Sequence, residues 1–323
     1  MKRYGNIFPK IYEIENLQLA HYNARKGKSK YTDVVLVDQS PEMLEYLSDT
    51  IKNGEYVTST YQIQNIVDRG KNREIFILPY YPDRIVQWAI MLQIEQIFIK
   101  TFIYDTYASI PNKGVHKAVK RVNKAIRNGG EYCLKLDIKK YFPSINQDIL
   151  CEQLKKKFKD PHLLDMLFEI IKSIPSGLPI GNYLSQWLAN FHLAYFDHAV
   201  CNQTHLPYFR YMDDIVLFAD SKEKLWKAFD FIKKQLHKLK LTVKENYQIF
   251  PSKSRGVDFL GYRSFGDYTL LRKRIAKNIK KTTNNISTPT KHDFRSLMSY
   301  KGWVQHCNGT RFSDIYIKPV IGA

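Results

Sequence analysis

The chain has 323 residues, 44% of them hydrophobic and 25% charged, a globular composition that excludes a largely disordered protein and leaves room for two or three connected lobes. Lys and Arg outnumber Asp and Glu by 50 to 31, a formal charge of +19, which favours a polyanionic partner, either nucleic acid or an anionic membrane surface. Cys133, Cys151, Cys201 and Cys307 lie far apart without paired spacing, which argues against a disulfide framework or a zinc site and for a reduced, cytoplasmic setting.

No export signal or membrane span is expected, because the strongest apolar stretch, IVQWAIMLQIEQIFI, is interrupted by Gln87, Gln93, Glu95 and Gln96. Residues 40–53 are predicted as a helix with Ser40 as its cap, Pro41 in the first turn and Gly54 just past its end. REIFILPYYPDR, 73–84, combines β-branched and aromatic residues with prolines and reads as extended; the next segment carries apolar residues at helical spacing to about residue 103. After the turn IPNKG, the segment VHKAVKRVNKAIRN is a basic helix ended by Gly129 and Gly130. The strand EYCLKLDIKKYFPSI places Tyr132, Leu134, Leu136 and Ile138 on one face and Cys133, Lys135 and Asp137 on the other. Asp137 is therefore expected to face away from the apolar layer.

Pro143 is expected to end the extended run, with helices over 147–158 and 161–173. SGLPIGNYLSQWLANFHLAYFDHAV opens as a Gly- and Pro-punctuated loop and continues as one long helix to about residue 200. PYFRY and IVLFAD are so closely spaced that a tight hairpin is expected, with Asp213 and Asp214 at its tip. Ser221 caps a predicted amphipathic helix to about 239, after which LTVKENYQIF, GVDFLGYRSF and YTLL read as short strands. From about residue 272 the chain turns helical and basic, with TTNNISTPT, 282–290, as a loop.

Adjacent carboxylates between apolar strands repel each other and are costly to desolvate, so positive charge must answer them. If Asp137 lies beside the hairpin, three acids converge, and such a cluster suits a hard cation such as Mg²⁺ and phosphoryl chemistry. Two ions can lower the pKa of an attacking hydroxyl and stabilise a leaving pyrophosphate oxygen. An isolated Asp-Asp pair is more often a solvated turn. Here an aspartate in an earlier strand, aromatics five residues beyond it, an intervening Gly-rich loop and a basic chain all favour the chemical reading.

The motif Tyr211-Met212-Asp213-Asp214, preceded by LKLDIKKYFPSI and GLPIGNYLSQ and followed by GVDFLGY, resembles the ordered motifs of reverse transcriptases. REIFILPYYPDRIVQWAI resembles the fingers segment of bacterial enzymes related to group II intron reverse transcriptases, and the likeness covers roughly residues 60–265. Intron and retroviral enzymes usually read Gln-Gly followed by Ser-Pro, whereas this chain has Ile180-Gly181 followed by Ser185-Gln186. That departure, with IPNKGVHKAV and LTVKENYQIF, resembles the reverse transcriptases of diversity-generating retroelements.

The resemblance implies an α+β right-hand polymerase: fingers over 1–130, a fingers and palm insertion over 147–206, palm over 131–146 and 207–267, and a short helical thumb over 268–323. It implies Asp137, Asp213 and Asp214 as catalytic residues and Asp137, Ile138, Asp213 and Asp214 as the metal-binding positions, with two Mg²⁺ ions or Mn²⁺ in their place. Arg73, Lys71, Phe142, Ile180, Gly181 and Gln186 are implied at the incoming nucleotide, with Phe142 as the steric gate against a ribose 2′-hydroxyl. Tyr211, Met212, Leu260, Gly261, Tyr262, Arg272, Lys273, Arg274 and Lys277 are implied along the template-primer. Where relatives often carry a lysine this chain has Tyr247, so Lys244 is a candidate proton donor to pyrophosphate.

The implied activity is RNA-directed DNA synthesis on a template-repeat RNA, error-prone opposite adenine, with dNTPs as substrates and cDNA or primer as nucleic-acid partner. A small, basic, oligomeric accessory protein is implied as a further partner, and no membrane. A retron or phage-defence enzyme, or a non-catalytic RNA-binding protein of the same fold, remains open. With Ala323 as the last residue, no maturase DNA-binding region, endonuclease or RNase H domain is expected in the chain.

Overall fold

The computed structural model describes residues 2–68, 70–286 and 290–321, the side chains of Asp68, Lys71 and Ile321 excepted. Helices and antiparallel sheets are mixed, and the chain divides into two compact units. The first comprises Met1–Tyr104, Ile138–Ala199 and Lys233–Thr242; the second comprises Asp105–Asp137, Val200–Ile232 and Val243–Ala323. Among the described residues no helix is long and apolar enough to cross a membrane.

The first unit is mostly helical. Its centre is Ile85–Ile99, where Ile85, Val86, Ala89, Ile90, Ile94 and Phe98 are fully buried and only Gln96 is exposed; a helix this apolar must be covered on most of its circumference. The buried Asp160 accepts the amides of Ile7 and Phe8 at 2.8 and 2.9 Å and caps the helix Pro161–Lys172 through the Leu163 amide. Strands β1, Gln62–Asp68, and β2, Lys71–Ile77, form a two-stranded antiparallel ribbon in which residues 62–67 are all exposed.

The base of the ribbon meets the loop over 173–182. The Phe76 amide donates to the Ile180 carbonyl at 2.8 Å, and Asn182 donates to the Tyr61 hydroxyl at 2.9 Å. At the other end of the loop the Leu178 amide donates to the Phe142 carbonyl at 2.9 Å. Gly181 has φ +122°, and a Cβ on it would lie 2.7 Å from the Phe76 carbonyl oxygen; only glycine fits both the backbone angle and the approach.

The second unit carries a four-stranded antiparallel sheet of β3, Tyr132–Asp137, β4, Tyr208–Tyr211, β5, Asp214–Ala219, and β6, Gln248–Pro251, in the order β4-β5-β3-β6. Beside it in sequence, β7, Val257–Phe259, β8, Tyr262–Ser264, and β9, Thr269–Leu271, form a three-stranded sheet. The helix Val115–Arg127 contributes Ala118, Val122 and Ile126 to a core with Cys133, Phe209, Phe218, Phe250, Val257 and Phe259. The C-terminal helices Lys273–Asn284, Lys291–Val304 and Thr310–Tyr316 share a smaller core that includes Ile279 and Val304.

Several sequence expectations require correction. Ser40 does not cap the helix Glu42–Lys52: it ends the preceding helix, Thr32–Gln39, by donating its amide to Leu36, and Pro41 takes the N-cap position. The helix after it in the apolar stretch stops at Ile99 rather than 103. The extended run ends at Asp137, because Lys140 turns left-handed at φ 46° and Pro143 lies inside a short helix, Tyr141–Ser144. The long helix to residue 200 is two helices, Tyr183–His192 and Ala194–Thr204. Of LTVKENYQIF only the last three residues are in a strand, Gln248–Pro251. Helix extends to Asn284 into the expected 282–290 loop, and residues 287–289 of that loop lie outside the described residues. Cys133 is fully buried although it shares a face with Lys135 and Asp137, which are partly exposed.

Gly181→Ala is expected to cost about 2 kcal/mol through backbone strain and the carbonyl clash, measured as a lower thermal midpoint. An unchanged midpoint would show that the loop and β2 separate at no cost.

Candidate active site

β4 ends at Tyr211 and β5 begins at Asp214, so Met212 and Asp213 form a two-residue turn, with Met212 at φ 57°. Such turns match the strand twist only with positive φ, which a residue bearing a Cβ adopts at some cost. Arg210 holds this turn. Its side chain is fully buried and its Nη1 donates to the Met212 carbonyl at 3.0 Å. Its own amide donates to the Asp105 carbonyl at 3.0 Å, and its carbonyl accepts the Tyr107 amide at 3.1 Å. Asp105 is in turn gripped by the Arg121 guanidinium at 2.8 and 3.0 Å.

The turn delivers Asp214 opposite Asp137. The two are register partners on β5 and β3, so their side chains leave the sheet on one face as immediate neighbours; Asp213 adjoins them in the turn. Asp214 Oδ1 is buried and accepts no hydrogen bond. Burial pushes the Asp214 carboxyl up to about 7, the Asp137 and Asp213 charges push the same way, and Lys135 and Arg272 oppose them. Lys244 Nζ lies 3.0 Å from Asp137 Oδ2, and Lys135 Nζ lies 3.9 Å from Asp214 Oδ1.

Among the described residues no three His, Cys, Asp or Glu side chains are gathered into a ready cation site. The donor set nonetheless fits a hard divalent ion: it is all carboxylate, one oxygen is orphaned, and ammonium groups stand in for missing positive charge. Ile138 is fully buried, so only its backbone is left as a donor. Lys244 pairs with Asp137, whereas Tyr247 is committed to packing, 4.1 Å from Phe229 and edge-on to Trp226.

A cavity of about 450 Å³ in the second unit takes in Asp137 and is lined also by Lys135, Arg255, Arg263, Arg272 and Lys273 among others. Its cations outnumber its acids, as a polyanion requires. Arg272 pairs with Asp258 at 2.6 Å, and Arg274 and Lys277 are exposed on the helix Lys273–Asn284. Leu260 and Gly261 form the β7–β8 turn with positive φ, Tyr262 is buried, and Tyr211 packs partly buried against the core. Arg210, Arg255 and Arg263 were not identified from the sequence. A lone arginine inside the otherwise uncharged strand YFRY was the available signal for the first; nothing local marked the others.

The residues expected at the nucleotide belong to the first unit. Arg73 is exposed on the same face of β2 as Ile75, and Ile75 lies against Gly181. Ile180, half-buried, is bonded to Phe76, and Phe142 is bonded to Leu178 of the same loop. Arg73, Phe142, Ile180 and Gly181 thus cluster around one loop. Of the two aromatics after Asp137, Tyr141 is buried with its hydroxyl donating to the Ala189 carbonyl, leaving Phe142 half-exposed. Gln186 is exposed on the helix Tyr183–His192. Lys71 lies in β2, and its side chain lies outside the described residues.

Residues 64–264 match the family model described as reverse transcriptase (RNA-dependent DNA polymerase). Protein YkfC of Escherichia coli (strain K12) is 26% identical over 169 residues, 48% of this chain and 44% of that protein. The group II intron-encoded protein LtrA of Lactococcus lactis is 24% identical over 207 residues, 59% of this chain and 34% of that protein. The chain therefore spans less than half the length of these curated relatives. In fold it is similar to telomerase from Candida albicans in complex with a fragment of telomeric RNA, with TM-score 0.52 and 11% identity over 84% of this chain and 58% of that one. Apo telomerase from Candida tropicalis gives TM-score 0.52 and 14% identity over 79% and 54%.

The raised Asp214 carboxyl makes a pH prediction. Its folded value, about 7, exceeds the ordinary 3.8, so the folded chain binds the proton more tightly than the unfolded chain. The contribution to stability is therefore lost as pH rises from about 4 to about 7. In chelator, Asp214→Asn is expected to raise the thermal midpoint by several degrees at pH 8 and to leave it unchanged near pH 4. Magnesium at pH 8 is expected to raise the midpoint of the parent and not of the variant; a difference independent of pH would contradict the assignment.

Proposed function

The chain belongs to the reverse transcriptase (RNA-dependent DNA polymerase) family, and on that premise we propose that it is an active polymerase that copies an RNA template into DNA. The observation that carries this reading is the register pairing of Asp137 with Asp214 beside a two-residue turn bearing Asp213. Asp137, Asp213 and Asp214 would hold divalent cations, which when bound acidify a primer hydroxyl and stabilise the leaving pyrophosphate oxygen.

The chain's own groups do the rest. Lys244 supplies an ammonium proton 3.0 Å from Asp137, and Arg210 fixes the backbone that aims the acids. Arg73 and Lys71 are assigned to the triphosphate, Gly181 and Gln186 to the nucleotide's surroundings, and half-exposed Phe142 to exclusion of a 2′-hydroxyl. The basic cavity with Arg272 and Lys273, and the helix carrying Arg274 and Lys277, are assigned to the template-primer backbone, where contact is independent of sequence.

The finer proposal is that the enzyme serves a diversity-generating retroelement, copying a template-repeat RNA with errors opposite adenine, in company with a small basic accessory protein. Ile180 supports it: an apolar side chain stands where accurate relatives present a glutamine, so a polar check on pairing geometry is missing.

Primer extension on an RNA template tests the first proposal. Asp213→Ala is expected to reduce incorporation by roughly 10³-fold, while equal incorporation by parent and variant would refute catalysis. Ile180→Gln is expected to lower misincorporation opposite adenine several-fold with total synthesis retained; an unchanged error spectrum would remove Ile180 from the account.

A further inference from the structure

The helix Lys291–Val304 carries Gly302 in its last turn, where glycine lowers helix stability relative to alanine. A Cβ built there meets nothing within 4 Å, so packing does not explain the missing side chain. Gly302 borders a cavity of about 330 Å³ in the second unit, walled by Val115, His116, Ser299, Trp303 and Gln305. That volume is of the size that takes a small organic ligand.

The walls are flat, aromatic and braced. The Trp303 ring lies 5.3 Å from Tyr262, whose hydroxyl donates to the Trp303 carbonyl at 3.0 Å. A Cβ on Gly261 would come within 2.5 Å of the indole, so the β7–β8 turn presses directly on it. His116 stacks on His306 with centroids 3.5 Å apart and meets Tyr262 edge-on at 5.9 Å. Burial, with His306 and Lys120 adding, holds the His116 imidazole below its usual range, so at neutral pH it presents an uncharged ring. Ser299 and Gln305 bring hydrogen-bonding groups to the same cavity, and no acid lines it. Lys120, one turn beyond His116, and Lys301, beside Gly302, are exposed.

We propose that this cavity binds one unpaired nucleotide of a nucleic-acid strand, its base stacked on Trp303 and hydrogen-bonded by Ser299 and Gln305, its phosphate neutralised by Lys120 and Lys301. Stacking of a base on an aromatic side chain is favourable and tolerates any base. The surrounding positive charge selects a nucleotide over an uncharged aromatic. Gly302 keeps the entrance open at the expense of helix stability. The site draws on the polymerase reading only for the expectation that nucleic acid is present.

Binding is measured by tryptophan emission of the full chain, titrated in separate arms with a single-stranded oligonucleotide, a blunt duplex of that sequence and a nucleoside monophosphate. Saturable quenching by the single strand, absent in Trp303→Phe, is expected. Gly302→Ala is expected to raise the thermal midpoint, and Gly302→Leu to preserve it while weakening single-strand quenching at least tenfold, which separates loss of binding from loss of folding. Unchanged binding by both Gly302 variants, or equal quenching by duplex and single strand, would overturn the proposal, and tighter binding of the free monophosphate would overturn its assignment to a strand. Primer extension run in parallel reports separately on catalysis: quenching without extension removes the polymerase reading and leaves the pocket.

Discussion

Two carboxylates held opposite one another on neighbouring strands repel, and burying one of them makes its ionised form costlier still. The second unit is organised around that opposition. Asp137 and Asp214 cannot drift apart, because the pairs Leu136↔Ile215 and Leu134↔Leu217 fix the register behind them, and a slip of one residue would turn those buried side chains outward. Hydrophobic pairing thus supplies what electrostatics opposes. Lys244 and Lys135 reduce the repulsion without closing the acids off, since Asp214 keeps one oxygen unsatisfied.

The first unit solves a different problem, the placement of residues from distant parts of the chain around one irregular loop. Backbone hydrogen bonds at both ends of the 173–182 loop, to Phe76 and to Phe142, set its path. Side chains are then free to vary while the main-chain bonds stay, which suits a family whose members here share only about a quarter of their residues. Ile180 is such a position: its carbonyl accepts the Phe76 amide, and its side chain stays half-buried.

Much of the architecture was legible in the sequence where one local signal dominated. The helices Val115–Arg127, Gln147–Lys157 and Pro161–Lys172 follow from apolar spacing and end signals to within one or two residues, and the Asp-bearing hairpin follows from two short strands with no room between them. Local signals misled where one residue had two possible employers. Ser40 suits an N-cap by type but was already closing the helix before it. Alternation along β3 separated the two faces but did not show that the face of Cys133 is also buried at its start, where the helix Val115–Arg127 and aromatics from distant strands cover it. The role of Arg210 was hidden for a related reason: it holds the carbonyl of a left-handed Met212, a conformation that no residue type announces. The acids could be picked out singly, but the lysines that pair with them come from tertiary placement.

The β1–β2 ribbon has seven register pairs, and residues 62–67 of its first strand contribute no burial to any core. Its amide protection must therefore come from the ladder itself, anchored at its base near Tyr61 and Phe76. Hydrogen exchange along it is governed by local opening, far below the free energy that protects β3. The strand bearing Arg73 is thereby held by its pairing partner and by the loop at its base.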